Sequence, residues 1–254
     1  MNAPPSRTWI RPVLVLLCMM CVVPLWGAAP EPVKVSAFAS VEDLKAQIDQ
    51  YMGRIEESLA DADAFEAGAT RITKDANTLI VLALSLGLHD EDNKLKASAP
   101  ALIDAAGKLA QAGEDYEAAK AAFGQVQAAV AGQLQQPGEL QWKKLASLGQ
   151  LMKQVTFVNN RLKRGLRRFG RNAEQDAGDA TMLAVIANAA LYDTHEVKDP
   201  AQLDHWYEYC AAMRDAAAEV SAAIKADDEK ACDAAMKSLA ASCDDCHAVF
   251  RPDL

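Results

Sequence analysis

Hydrophobic and polar residues alternate along most of this chain with the period of an α-helix. Apolar residues recur at intervals of three or four positions in two stretches, Ile48, Tyr51, Ile55 and Leu59, and Leu148, Leu151, Val155 and Leu162. That spacing places each set on one face of a helix. Alanine is abundant, Gly and Pro are sparse beyond the N-terminal region, and alternating β-branched runs are almost lacking. The sequence therefore predicts an all-α protein without a sheet.

Breaker residues divide the chain after residue 139 into four helical segments. The predicted segments run from Leu140 to Phe169, from Asp179 to Leu191, from Pro200 to Ala226, and from Asp227-Asp228 onward. Gly170 and Asp199-Pro200 supply the stop and start signals between them. Four amphipathic helices of this length predict one four-helix bundle over residues 139–254.

Residues 1–29 have the pattern of a secretory signal peptide. Arg7 and Arg11 form a basic start, an apolar run follows from Val13 to Leu25, and small residues occupy positions 27–29. We therefore expect export to the periplasm, with no membrane span after cleavage. An uncleaved membrane anchor is the alternative, because Pro30 is unfavourable just after a cleavage point. The apolar run is nevertheless short of the roughly 20 residues that span a bilayer.

Acidic residues outnumber basic ones in this chain. It carries 26 Lys and Arg against 35 Asp and Glu, which gives a formal net charge of -9. Removal of the signal peptide would take away two basic residues and no acidic one. This balance disfavours nucleic acid and anionic membrane surfaces as partners, because both repel an acidic protein. A protein partner with a positive surface is compatible with it.

The most specific motif is Cys243-Asp244-Asp245-Cys246-His247, close to the C-terminus. C-x-x-C-H is the sequence through which haem c is attached. Positions three apart share a helix face, so both thiols can bond one edge of a porphyrin, and His247 can bind the iron as the proximal ligand. A redox dithiol, half of a zinc site and chance are the alternatives. A thioredoxin-like dithiol needs a βαβ context, and zinc needs a second ligand pair.

The motif continues as Ala248-Val249-Phe250-Arg251, and in this form and position it resembles the cytochrome c′ and cytochrome c556 family. The resemblance implies a four-helix bundle whose last helix carries one covalent haem. It also implies that the first helix of the bundle supplies the residue on the other side of the iron. Leu151-Met152-Lys153 resembles the segment around the distal Met of the c556 type, which makes Met152 the candidate second iron ligand. Packing of Met152 in the core is the alternative.

Two further residues are candidates for the haem pocket. Arg251 resembles the family's basic residue near the haem, although a solvated terminal Arg is the usual alternative. Trp206 lies about level with the haem cysteines if the third and fourth helices are antiparallel, so that its ring would wall the porphyrin or simply pack between helices. A basic run from Arg161 to Arg171 is usually a solvated face, but it is also a candidate docking surface for an acidic redox partner.

The region from residue 36 to 134 is interpreted as a degenerate, haemless copy of the C-terminal bundle. Gln50-Tyr51-Met52-Gly53 matches the segment from Gln150 to Lys153, and Asp75-Ala76-Asn77 matches the segment from Asp179 to Thr181. In this comparison Val130, Gln133 and Leu134 fall where Cys243, Cys246 and His247 stand, so that the first copy cannot attach haem. Residues 135–138 are the linker. We expect the two copies to pack as an intrachain pseudo-dimer, with their first helices in contact.

These features predict an exported monohaem c-type cytochrome that transfers electrons to or from a redox partner protein. A five-coordinate protein of the cytochrome c′ type that binds nitric oxide or carbon monoxide is the alternative, and a non-catalytic assembly role is a third. No arrangement of acid, base and nucleophile in the sequence indicates an enzyme.

Overall fold

The computed structural model describes residues 29–252, and within that range every regular element is a helix. The eight α-helices are α1 (Val41–Ser58), α2 (Ala62–Leu88), α3 (Ala99–Gln111), α4 (Tyr116–Val130), α5 (Leu148–Gly165), α6 (Ala173–Ala190), α7 (Leu203–Lys225) and α8 (Glu229–Phe250). Short 3-10 turns precede α1 and α7 and follow α5. The prediction of an all-α protein is confirmed.

Capping side chains explain where several of these helices begin. Ser40, Asp61, Asp115 and Asp228 each precede a helix, and each side chain accepts a hydrogen bond from a backbone N–H in the first turn. Such bonds satisfy donors that the helix itself leaves without partners. At the other end of α4, Gly132 adopts a φ of 72°, a left-handed conformation that glycine reaches without steric cost. Local sequence chemistry therefore fixes these boundaries.

Each helix packs mainly against its neighbours in sequence, both from α1 to α4 and from α5 to α8. Contacts between these two sets are made by α1 and α2 on one side and α5 and α6 on the other. The buried Gln154 donates to the Tyr51 hydroxyl over 2.6 Å. A Cβ on Gly178 would lie 2.5 Å from the amide nitrogen of Gln47, so α6 approaches α1 closely because residue 178 has no side chain.

Two predicted helix starts are wrong. The helix expected from Leu140 begins at Leu148. Residues between 140 and 147 pack against other parts of the molecule instead of forming a helical turn. Leu140 lies against α2, where a Cβ on Gly87 would be 2.2 Å from its side chain, and Trp142 stacks on Tyr192 with 5.7 Å between ring centroids.

The helix expected from Asp179 instead begins at Ala173. Ala177 and Gly178 in its added turns are buried against neighbouring helices. Small residues there permit close helix packing, whereas the sequence suggested a connection.

None of the helices within residues 29–252 is both long and apolar enough to cross a membrane. The proposed signal peptide, residues 1–29, lies outside the described residues except at its last position.

Candidate functional site

A cavity of about 610 Å³ lies between α5, α6, α7 and α8. Its volume is within the range of about 300 to 1,000 Å³ that is usual for cofactor and small-molecule sites. From α5 it is lined by Leu148, Met152 and Val155, among others, and from α7 by Trp206, Cys210 and Met213. The last two turns of α8 complete the wall.

Both cysteines of the motif and its histidine line this cavity from α8. Cys243 and Cys246 are half-buried, and His247 is exposed. Because α8 continues without a break to Phe250, the two thiols stand one turn apart on the same face. The helix thus presents two sulfur atoms and one imidazole to a single space.

Burial changes the acidity of these thiols. It raises the pKa of Cys246 to about 11, with a smaller contribution from the neighbouring Cys243 thiol, and it also raises the pKa of Cys243. Reactive dithiols of the thioredoxin type have a lowered pKa, which gives them thiolate at neutral pH. The environment of Cys243 and Cys246 has the opposite effect, which disfavours a redox dithiol.

Met152 lines the same cavity from α5, across from the α8 residues. It is half-buried and packs on a small apolar cluster formed by Leu148, Trp206, Phe250 and other residues. Cys246 packs on that same cluster, so Met152 and the haem motif lie at one level of the molecule. Met152 also packs on the main core, as Met52 does, but Met52 is not among the residues that line the cavity.

Trp206 of α7 forms an apolar part of the cavity wall beside Phe250. Its ring nitrogen donates to the Ala190 carbonyl over 3.1 Å, and its ring meets Phe250 edge-on at a centroid distance of 5.0 Å. Arg251 follows α8, is exposed and lines the cavity. The structure therefore brings together Trp206, Arg251, Met152 and the motif residues.

Sequence reasoning missed several cavity residues on α5. Thr156, Asn159 and Asn160 follow Met152 at intervals of four, seven and eight and line the same space. Helical spacing from Met152 was the signal that would have found them. The side-chain oxygen of Asn159 is buried without a hydrogen-bond partner among the described residues.

Other residues considered with the site have different partners. Lys144 pairs with the buried Asp193 at 2.9 Å, and His195 contacts the same carboxylate at 2.6 Å. Cys210 and Cys232 are free, and they lie in separate apolar clusters, with Cys210 in the cavity wall. Within residues 29–252 no group of three or more His, Cys, Asp or Glu is arranged to hold a metal ion.

The residues of the cavity fit a covalently attached haem. Haem supplies four nitrogen ligands of its own, so the protein needs only axial ligands and attachment points. The cavity lining meets that requirement. It contains two thiols and an imidazole from α8, a thioether sulfur from α5 and several aromatic rings.

Comparisons with family models, with curated proteins and with solved structures found no match for this chain.

Proposed function

We propose that this protein is an exported monohaem c-type cytochrome of the cytochrome c′ and c556 type, and that it acts in electron transfer rather than as an enzyme. One observation carries the proposal: Cys243, Cys246 and His247 of α8 line the same cavity as Met152 of α5. The raised pKa of both thiols disfavours the competing interpretation as a redox dithiol, which needs thiolate at neutral pH.

The roles of the residues follow from their chemistry. Bound haem would supply an iron that cycles between the ferrous and ferric states. Cys243 and Cys246 would attach its edge, His247 would bind the iron from the same side, and Met152 would offer its sulfur from α5. Trp206 and Phe250 would exclude water from their part of the cavity, because both rings are buried and in contact with each other.

We further infer that residues 36–134 and 139–254 are two related four-helix bundles, packed as a pseudo-dimer within one chain. Two similar ion pairs support this: Arg54 of α1 binds Asp75 of α2, and Arg161 of α5 binds Asp179 of α6. All four groups are at least partly buried.

These ion pairs place Arg54 opposite Arg161 in the comparison of the two halves. In that register the buried Gln47 falls opposite the buried Gln154, and Ile55 opposite Leu162. The match of Gln50 with Gln150 implies a different register. With the ion pairs aligned, Met152 has Lys45 as its counterpart rather than Met52. Met152 is then particular to the second half.

The double variant Cys243→Ala/Cys246→Ala tests the haem proposal. We expect complete loss of covalent haem, because each thiol provides one thioether bond. The measurement is a denaturing gel stained for haem, with protein exported in a host that matures c-type cytochromes. Cys210→Ala/Cys232→Ala is the matched control and should stain like the unaltered protein. Covalent haem in the first double variant would refute the proposal.

A further inference from the structure

One end of α5 is strongly basic and has no acidic partner within the described residues. It consists of five exposed cations in and just after the last turn of the helix, Lys163, Arg164, Arg167, Arg168 and Arg171. None of the five forms an ion pair within residues 29–252. Arg161 differs from them, because Asp179 binds its guanidinium. We call these five residues the basic end of α5.

The basic end of α5 adjoins the cavity. Asn159 and Asn160 line the cavity, and Lys163 follows them by about one helical turn, a rise of roughly 5 Å. The positive charge of Lys163 acts on the thiol of Cys243 and opposes the effect of burial on its pKa. The cations therefore begin beside the edge to which the first thiol would attach the haem.

The turn between α7 and α8 lies at the same end of the molecule. A Cβ on Gly170, within the connection from α5 to α6, would be 3.5 Å from a carboxylate oxygen of Asp227. Asp228 is occupied in capping α8. Neither carboxylate forms an ion pair with the five cations within the described residues, so these cations stay unpaired in a chain whose net charge is -9. On the cavity side, the Asp244 carboxylate acts on the Cys243 thiol in the opposite sense to Lys163.

A run of like charges on a helix is usually a solvated face. Next to the mouth of a cavity, however, the same charges suit a surface that meets opposite charges on a partner. At physiological ionic strength a charge is felt over about 8 Å. A partner that docks here therefore meets the basic end of α5, while the acidic remainder of the chain is largely screened. Long polyanions such as nucleic acid, and broad anionic membranes, would extend over that acidic remainder and be repelled.

We propose that the basic end of α5 is the docking surface for the acidic face of a redox protein. This inference rests on the proposed function, since the partner exchanges an electron with the haem. Haem held by the motif residues would accept one electron from the reduced partner at its ferric iron, without a change in any covalent bond. The surface would place the partner beside Cys243, one of the residues that line the cavity.

The test uses oxidised flavodoxin of acidic surface as the probe and the whole oxidised protein. Because both proteins are oxidised, titration calorimetry measures binding without electron transfer. We expect the triple variant R164E/R167E/R168E to weaken binding at least tenfold at low ionic strength and to abolish its salt dependence. The neutral variant R164Q/R167Q/R168Q should weaken it less, in the same direction. Charge reversal at exposed positions should leave the melting curve unchanged.

The matched control is K34E/K45E/K94E, which makes the same change in net charge at exposed sites on the first half. It should alter affinity by less than threefold. An equal loss in both triple variants would overturn the proposal, because only net charge would then matter. Flavodoxin binding that is unchanged in R164E/R167E/R168E would also overturn the proposal. If that variant kept flavodoxin binding but lost binding to phosphatidylglycerol vesicles, the basic end of α5 would be a membrane-binding surface and the proposal would again be wrong. Haem staining of every sample tests the proposed function separately, because binding is measured without electron transfer.

Discussion

The first four helices and the last four differ most in the final helix of each set. In the first set, α4 has 15 residues and ends at Val130, where Gly132 reverses the chain. In the last set, α8 has 22 residues, and its final turns carry Cys243, Cys246 and His247. A cavity opens beside those turns. The two sets therefore differ in the length of their last helix, and the longer one carries the motif beside the cavity.

The end of α4 explains this difference in physical terms. Gly132 and Gln133 donate backbone hydrogen bonds to the carbonyls of Ala129 and Ala128, which closes the helix with a left-handed glycine. The positions expected opposite Cys246 and His247, Gln133 and Leu134, lie beyond the helix. The first half lacks the helical turns of a haem site as well as its cysteines.

The sharpest contrast between the halves concerns Met152 and Met52. We expect Met152→Ala to convert a low-spin ferric spectrum to a high-spin one, because the iron loses its sixth ligand. Met52→Ala is the control for the loss of a half-buried methionine elsewhere, since Met52 does not line the cavity, and its spectrum should be unchanged. Optical spectra of the ferric proteins decide the outcome. A high-spin spectrum in the unaltered protein would support the five-coordinate alternative and refute ligation by Met152.

The second contrast compares glycines on the first helix of each set. A Cβ on Gly165 of α5 would lie 1.9 Å from a carboxylate oxygen of Asp176, whereas a Cβ on Gly53 of α1 meets nothing within 4 Å. We expect Gly165→Ala to lower the free energy of unfolding by about 2 kcal/mol through overpacking. Gly53→Ala should raise it by up to about 1 kcal/mol through helix propensity. Urea denaturation of both variants measures the two effects. Equal effects would show that the contact at Gly165 relaxes freely.

The smallest expected effect concerns the charge of Asp176. This carboxyl group is 3% exposed, one of its oxygens has no hydrogen-bond partner, and burial raises its pKa. When the ion-paired Asp75 and Asp179 are aligned, the residue of the first half that corresponds to Asp176 is the apolar Ile72, because each stands three positions before its aspartate. Stability from a carboxyl group with a raised pKa is present at low pH and is lost as the pH rises through that pKa.

We therefore expect Asp176→Asn to stabilise the protein at pH 7 by about 1 kcal/mol, since an amide carries no charge to desolvate. The gain should vanish when the pH falls below the ordinary pKa of an aspartate, about 3.9. Thermal melts of both proteins between pH 3 and pH 8 measure this gain in stability. A gain that stays constant with pH would assign the effect to packing. Ile72→Val, a small change in an uncharged core residue, provides the control without pH dependence.

The sequence was sufficient to predict the helical class and the grouping of the site residues. Helical spacing predicted that Cys243, Cys246 and His247 share one space, and these residues line one cavity together with Met152. These predictions depend only on local geometry. The segment from Leu140 to Ser147 could not be predicted in the same way. Its apolar residues suit a helix locally, but the groove at Gly87 and the ring of Tyr192 hold them in an extended path.

Registers between helices were also beyond the sequence. Alanine-rich helices match at several offsets, and only the ion pairs of Arg54 with Asp75 and of Arg161 with Asp179 distinguish between them. The cavity residues Asn159 and Asn160 escaped notice for a related reason, since polar residues on a helix normally face solvent. A cofactor-sized cavity reverses that expectation.

Two further cysteines within the described residues, Cys210 and Cys232, are internal probes of local motion. Cys210 is 6% exposed in the cavity wall, and Cys232 is 2% exposed in the main core. Because both side chains are buried, a thiol reagent would reach these two sulfur atoms only when the surrounding helices separate. If Cys243 and Cys246 form the proposed thioether bonds, labelling rates at Cys210 and Cys232 would time separate opening events of a single folded chain, one beside the cavity and one in the main core.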